Sequence, residues 1–292
     1  MTHHLDRRRA TDPVLLVVSI VAVSTSAPLV REAAAPALTI AFWRTALGAG
    51  ATAPFARRHR TKLTTKERRL TTAAGIVLAA HFATWISSLS YTSVASAVTL
   101  VSTQPVWAAW FARRQIHRRV WSGIAIAMGG AVAVAGVDLS ISGRALFGDV
   151  LALVGGVLAG LYVTIGAEVR KSLPTAAYTA RCYAIAAIAL FAAAMIGRVD
   201  VVPRSGATWG WLLAITIGPQ LLGHSLINAV LQRLDAVLVS VSILFEIVGA
   251  SLLAWWWFGE TPPGAVYPAA ALLAAGVLLV MSGGRRLAPS LD

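Results

Sequence analysis

Long apolar stretches alternate with short polar loops along the chain. Ten stretches, at 13–30, 36–56, 70–90, 93–111, 119–137, 146–168, 175–196, 207–231, 236–258 and 264–283, match the roughly 20 apolar residues a helix needs to cross a bilayer. The pattern predicts an all-α integral membrane protein with ten transmembrane helices. The stretches form two sets of five with matching polar landmarks. Pro36 precedes Arg44 by eight positions in span 2, and Pro174 precedes Arg181 by seven in span 7. His81 in span 3 precedes Gln104 in span 4 by 23 positions, and His224 in span 8 precedes Glu246 in span 9 by 22. One duplicated unit with small loop changes accounts for all three pairs. Five crossings is an odd number, so the second unit enters from the opposite face. Two inverted five-helix repeats are therefore expected at 13–138 and 146–284, between termini at 1–12 and 285–292.

The basic residues set the orientation. Of 25 Lys and Arg, 19 fall in loops on the side of the N-terminus. Four (Arg31, Arg144, Arg198 and Arg204) fall on the other side, and two (Arg44 and Arg181) lie inside spans. The positive-inside rule then places both termini in the cytoplasm. Inversion also explains why equivalent loops differ. The loop after span 4 is basic, with Arg113, Arg114, Arg118 and Arg119, whereas the loop after span 9 reads Gly259-Glu260-Thr261-Pro262-Pro263.

Composition agrees with a membrane protein. The 292 residues are 57% hydrophobic and 13% charged, about half the charge of a soluble domain. The net charge of +13 sits in bursts between apolar runs and forms no patch beside a soluble core, so a nucleic-acid partner is not expected. Cys182 is the single cysteine, which excludes an intrachain disulfide or a CxxC clip. No HExxH, GxSxG or Walker A run is present, so neither an enzyme nor a cofactor is expected, and ATP-driven pumping would need a separate subunit. The first stretch, with Arg7, Arg8 and Arg9 before it, has some look of a signal peptide, but Pro28 directly after Ala27 opposes cleavage. The richness in alanine and arginine is associated with bacterial genomes, which makes the expected location an inner membrane.

Several motifs fall in an order that resembles a known family. They are Phe42-Trp43-Arg44 in span 2, Tyr91-Thr92-Ser93 entering span 4, and Gln104-Pro105-Val106-Trp107 within it. The second half has Gly218-Pro219-Gln220-Leu221-Leu222-Gly223-His224, then Glu246, Leu253-Ala254-Trp255, Gly259-Glu260 and the closing Gly276-Val277-Leu278-Leu279. Together they resemble the ten-helix, EamA-type branch of the drug/metabolite transporter superfamily over nearly the whole chain. The resemblance implies export or exchange of small polar metabolites. The chain departs from the family pattern at Ile247, where a proline often follows the acid, and near Gln115, where a glutamate is usual. Pro105 thus predicts a bend in span 4, and Ile247 removes that signal from span 9.

Ionisable groups at membrane depth cost about 2.5–3.5 kcal/mol on insertion scales, so they usually face a cavity or a partner. Glu246 reads either as a proton-coupling or cation-recognising group or as a structural partner for a neighbouring Arg or His. His81 and His224 read as cavity hydrogen-bonders, or a relay with Glu246, or as packing locks between helices. Two histidines alone do not predict a metal site. Arg44 and Arg181 lie near their span entrances, which favours snorkelling or clamping a helix end over binding a substrate carboxylate or phosphate. Arg44, the deeper, is the better binding candidate. Trp85 and Asn228 each follow a histidine by four positions and share its helix face. Tyr162, Ser24, Thr25 and Ser26 are further candidates, though the hydroxyls of span 1 can bond back to their own helix. Gln104 is the neutral counterpart of Glu246. Trp255, Trp256 and Trp257 form a headgroup-level belt, and Glu260 is expected to cap the outer end of that hairpin.

The expected function is secondary transport of a small polar or amphipathic solute, such as an amino-acid-like or drug-like compound, by alternating access. His81, Trp85, Gln104, Tyr162, His224, Asn228, Glu246 and Arg44 are the expected cavity residues. The partners are the bilayer, the solute and, through Glu246, protons. Both a monomer and a homodimer are open. The alternatives are a lipid-precursor or nucleotide-sugar carrier of the same fold, and an integral membrane enzyme.

Overall fold

The computed structural model describes residues 2–58, 62–92, 94–112, 116–135, 142–258 and 266–284, and among them every regular element is a helix. Helical segments occupy each apolar stretch. The first holds α1 (Thr2–Ser24) and α2 (Ser26–Ala33), the second α3 (Ala37–Arg58) and the third α4 (Thr65–Ser88). The fourth holds α5 (Val94–Val101) and α6 (Gln104–Phe111), followed by α7 (Arg118–Ala135), α8 (Gly143–Arg170) and α9 (Thr175–Ile196). The eighth runs from α10 (Gly206–Ile215) through a π-helical segment (Thr216–Ser225) into α11 (Leu226–Val230). The ninth holds α12 (Ala236–Ile243) and α13 (Phe245–Phe258), and the last is α14 (Val266–Gly284). Among the described residues, six segments are long and apolar enough to cross a membrane: Asp12–Ala33, Thr65–Ser88, Gly143–Arg170, Thr175–Ile196, Gly206–Val230 and Ala236–Trp257. The expectations for the side chains of Arg7, Arg8 and Arg9, and for Arg60, Arg113, Arg114, Gln115, Glu260, Arg285 and Arg286, lie outside the described residues.

Four stretches are interrupted, each for a local reason. In the first, Thr25 Oγ1 donates to the Ala22 carbonyl at 2.7 Å and Ser24 Oγ to that of Ile20 at 2.8 Å, the back-bonding that bends helices. In the fourth, Pro105 has no N–H to close a turn onto Val101, and the helix opens at Ser102 and Thr103. The ninth breaks at Leu244 although no proline follows Glu246. There Ser242 Oγ bonds back to the Leu238 carbonyl at 2.9 Å, and Ile247 N reaches only three residues back, to Leu244 O at 3.1 Å. The eighth holds Gly218 and Pro219 inside its π-helical turns.

The chain gathers into two compact units, Met1–Ala83 with Ile165–Leu234 and Thr84–Thr164 with Asp235–Asp292. Each draws helices from both halves of the sequence. In the first, α3 packs along α9; in the second, α7 packs along α14. That second pair is held close by glycine. A Cβ on Gly276 would stand 2.6 Å from the Gly123 carbonyl, and one on Gly123 2.7 Å from the Gly276 carbonyl. Val120, Ile124, Ala127, Leu273 and Val280 fill the core around them. Exposed Val14, Val17, Val21, Ile188, Ile196 and Leu278 give these helices apolar outer faces of the kind lipid covers.

Polar ties fix the helix ends of the first unit. Asp12, almost wholly buried, pairs with Arg233 through two guanidinium nitrogens, which raises the Arg233 pKa further. Glu168 takes Lys66 at 2.9 Å and Lys171 at 2.5 Å. The turn after α9 is anchored on α3, where Thr39 Oγ1 donates to the Asp200 carbonyl at 2.7 Å and Trp43 Nε1 to that of Val201 at 2.6 Å. The Asp200 carboxylate accepts from Val202 N at 3.0 Å and from Arg204 Nη2 at 3.0 Å, and both hold its pKa below the usual carboxylate range.

Candidate functional site

A polar cluster lies inside the first unit, built from α3, α4, α9 and the π-helical segment. Arg44 stands two turns into α3 and is 0% exposed. It does not snorkel, contrary to the expectation drawn from its place near the span entrance. Its Nε donates to Gln220 Oε1 at 2.9 Å, and its guanidinium carbon lies 4.0 Å from the Phe82 ring centroid. The other face of the cluster is imidazole. His81 and His224 have ring centroids 6.5 Å apart, and Phe82 meets the His224 ring edge-on at 5.2 Å. The sequence paired these histidines by repeat position alone, and the fold brings them together.

Local structure explains the arrangement. A glycine one turn beyond Arg44 clears the space, because a Cβ on Gly48 would lie 3.1 Å from Gln220 Cγ and 3.2 Å from Tyr183 Cδ2. Within the π-helical segment, side chains also reach the Gln220 carbonyl: Tyr183 Oη donates to it at 3.4 Å and Ser225 Oγ at 3.3 Å. The Gln220 Nε2 group is buried without a hydrogen-bond acceptor among the described residues. Gln220, Phe82 and Tyr183 were not singled out in the sequence. Gln220 stood within the Gly218–His224 run, but nothing in a neutral amide marked it as the neighbour of an arginine 176 positions away.

Asn228 is fully buried, and its carbonyl accepts from Arg170 Nε at 2.8 Å. Arg170, expected among the loop charges, is also fully buried and donates from Nη2 to Thr175 Oγ1 at 2.6 Å and Gln232 Oε1 at 3.1 Å. The pair ties the end of α8 to α11. Arg181 is half-buried, and its Nη1 bonds back to the Ala177 carbonyl on its own helix at 2.9 Å.

The remaining expected residues belong to the second unit. Gln104 opens α6, and its Nε2 donates to Ser240 Oγ on α12 at 3.1 Å. Glu246, half-buried, sits in the first turn of α13, where the helix dipole favours an anionic side chain. These counterparts thus occupy equivalent places, each just after the break in its stretch. Tyr162 is buried on α8, and Trp85 is buried with its Cβ 3.2 Å from the position a Cβ would take on Gly155. Trp255, Trp256 and Trp257 are exposed on α13 and face outward, as a belt would.

Residues 13–136 and 146–282 each match the profile described as "EamA-like transporter family". A solved structure titled only "Crystal structure of protein" superposes with a TM-score of 0.77 at 20% identity, over 96% of this chain and 99% of that one. No curated protein matches the sequence.

Proposed function

The chain belongs to the EamA-like transporter family, a multi-pass membrane family of the drug/metabolite transporter type, and on that premise we propose that it is a secondary active exporter. Its cargo is a small polar or amphipathic metabolite, moved across a bacterial inner membrane by alternating access. Ten crossings, in two inverted repeats at 13–138 and 146–284, leave both termini in the cytoplasm. The observation that carries this reading is the buried cluster of Arg44, Gln220, His81 and His224 among helices of membrane-crossing length. Polar groups at that depth are costly, and a solute path is the usual reason for keeping them.

In the second unit, Gln104 and Glu246 are the helix-break counterparts and, with Tyr162 and Trp85, the translocation residues of that unit. Glu246 is the coupling carboxylate. It is the acid farthest inside a predicted span, and its partner in the other half is neutral.

Counterflow in proteoliposomes tests the function. Vesicles preloaded with each member of a metabolite panel should accumulate the matching labelled solute through the folded protein. Absence of counterflow for every member would overturn the reading. Glu246→Gln should abolish dependence on a pH gradient while counterflow persists, and a retained gradient dependence would remove Glu246 from the coupling role.

A further inference from the structure

We propose that the end of α3 and the start of α4 form a docking site for an anionic phospholipid. Arg57, Arg58, Lys62, Arg68 and Arg69 take the phosphate, and Phe55 takes the apolar glycerol–acyl junction. This goes beyond the transport reading and requires only that the chain lie in a membrane.

The fold brings the two helix ends to one place. α3 packs along α9 and runs against it. Thr39, near the start of α3, bonds to Asp200 beyond the end of α9, and a Cβ on Gly48 would lie 3.2 Å from Tyr183 Cδ2. Further along α3, Arg57 therefore comes level with the start of α9 at Thr175. α4 begins at the same end. Glu67 in its first turn accepts from Ser172 Oγ at 2.6 Å, in the turn before α9, and Lys66 Nζ donates to Glu168 at 2.9 Å, near the end of α8. Three residues join Arg58 to Lys62, which limits their Cα separation to about 14 Å.

Charge selects the partner. The five bases are exposed, and none makes an ion pair among the described residues. The acids at this end are already occupied: Glu168 holds Lys66 and Lys171, and Glu67 accepts from Thr64 N, Thr64 Oγ1 and Ser172 Oγ. Uncompensated cations at the ends of apolar helices are the arrangement that gathers anionic headgroups at a membrane surface. Loop charge that only sets orientation needs no aromatic neighbour. Here Phe55 is 57% exposed in the last turn of α3, and the Arg58 guanidinium carbon lies 5.7 Å from its ring centroid. A ring and a cation side by side match the boundary of a phospholipid, where the phosphate sits above apolar esters. A soluble anion would use the charges and leave the ring in water.

Native mass spectrometry of the purified full chain, released from detergent micelles holding equal amounts of phosphatidylglycerol and phosphatidylcholine, reads the preference. Phosphatidylglycerol adducts should predominate by about tenfold, since several bases each add to the attraction. Arg57→Gln, Arg58→Gln, Arg68→Gln and Arg69→Gln together should bring the ratio near parity. Arg57→Gln with Arg58→Gln alone should lower it part of the way. Phe55→Ala should reduce adducts of both lipids. Arg118→Gln with Arg119→Gln, exposed on α7 in the other unit, should leave most of the preference intact.

Parity in the wild type overturns the proposal, and so does an equal loss from the α7 pair, which would show general attraction by loop charge. Excess glycerol phosphate should leave the lipid adducts in place. Displacement of phosphatidylglycerol by it would assign the bases to a soluble anion and overturn the lipid. Lipid preference without counterflow leaves the site standing and sinks transport. Counterflow with lipid parity leaves transport standing and sinks the site.

Discussion

At the residue scale, burial decides what a polar side chain can do: Arg44 and Gln220 are fully enclosed and bond to each other at 2.9 Å. His81, His224 and Arg44 were legible because an ionisable group in an apolar run stands out. Their setting was not. Arg44 looked shallow by counting from the loop, yet α3 begins at Ala37 and its eighth residue is fully enclosed. Gln220 and the buried Arg170 escaped because one is neutral and the other borders Lys171, as a loop charge would. Small residues were legible as a class, but only the packing says which of them matter. A Cβ on Gly160 would stand 2.7 Å from Trp107 Cβ and 2.8 Å from Ala108 N, whereas one on Gly129 meets nothing within 4 Å. Gly160→Ala should therefore destabilise the protein by about 1–3 kcal/mol through overpacking. Gly129→Ala should be neutral or stabilising by up to about 1 kcal/mol through helix propensity. Unfolding in a denaturing detergent reads both, and equal effects would show that the close approach at Gly160 yields. Asp200 supplies a pH test with a definite sign. Its pKa is depressed in the folded protein by Val202 N–H and Arg204, so its charge contributes stability above the usual carboxylate pKa. That contribution disappears as pH falls through the depressed folded value. The melting-temperature gap between the wild type and Asp200→Asn should be constant near neutrality and close only in strong acid. A gap that closes near neutrality would refute the assignment.

At the element scale, the apolar stretches gave the helices, because 20 apolar residues in a row leave the backbone little alternative to helix in lipid. The interruptions were less legible. Pro105 announced the break in the fourth stretch, but the ninth breaks without a proline, through a serine back-bond and a tight turn at Leu244 that no residue count foretells. The π-helical segment was hidden for a related reason. Gly218 and Pro219 signal irregularity, but not the winding that the chain adopts to accommodate it. Winding matters here because each residue of register turns a side chain by about 100° around the helix. Pro219→Ala restores a backbone N–H and should let Thr216–Ser225 relax toward an α-helix, carrying Gln220 away from α3. Cysteines report this directly. With Cys182→Ala as background, Gly48→Cys with Gln220→Cys should cross-link under mild oxidant, since a Cβ on Gly48 would lie 3.1 Å from Gln220 Cγ. Adding Pro219→Ala should lower the cross-link yield severalfold, measured by gel mobility. An unchanged yield would mean that tertiary packing, not the proline, holds the π register.

At the scale of the whole molecule, two segments that match one family model share polar landmarks, and where those landmarks lie in space was not legible. The halves align through Arg44 with Arg181, His81 with His224 and Gln104 with Glu246. The structure then sorts these pairs by compact unit, the first two in one and the third in the other. Contacts between residues more than a hundred positions apart produce this sorting, and spacing within each half carries no information about them. Orientation has a different origin. It follows from arginines and lysines that resist translocation, so it is set by loop charge and is independent of how the helices pack. Impermeant maleimide labelling tests it on a clean background, because Cys182 is the single cysteine and is fully buried. Arg204→Cys, exposed in the turn between α9 and α10, should label in intact cells. Lys66→Cys, at the start of α4, should label only after the membrane is permeabilised. The reverse pattern would place the termini outside and overturn the charge argument. Labelling of both sites in intact cells would mean insertion in both orientations, and a 19-to-4 imbalance of basic residues is strong enough that this outcome would also refute loop charge as the determinant.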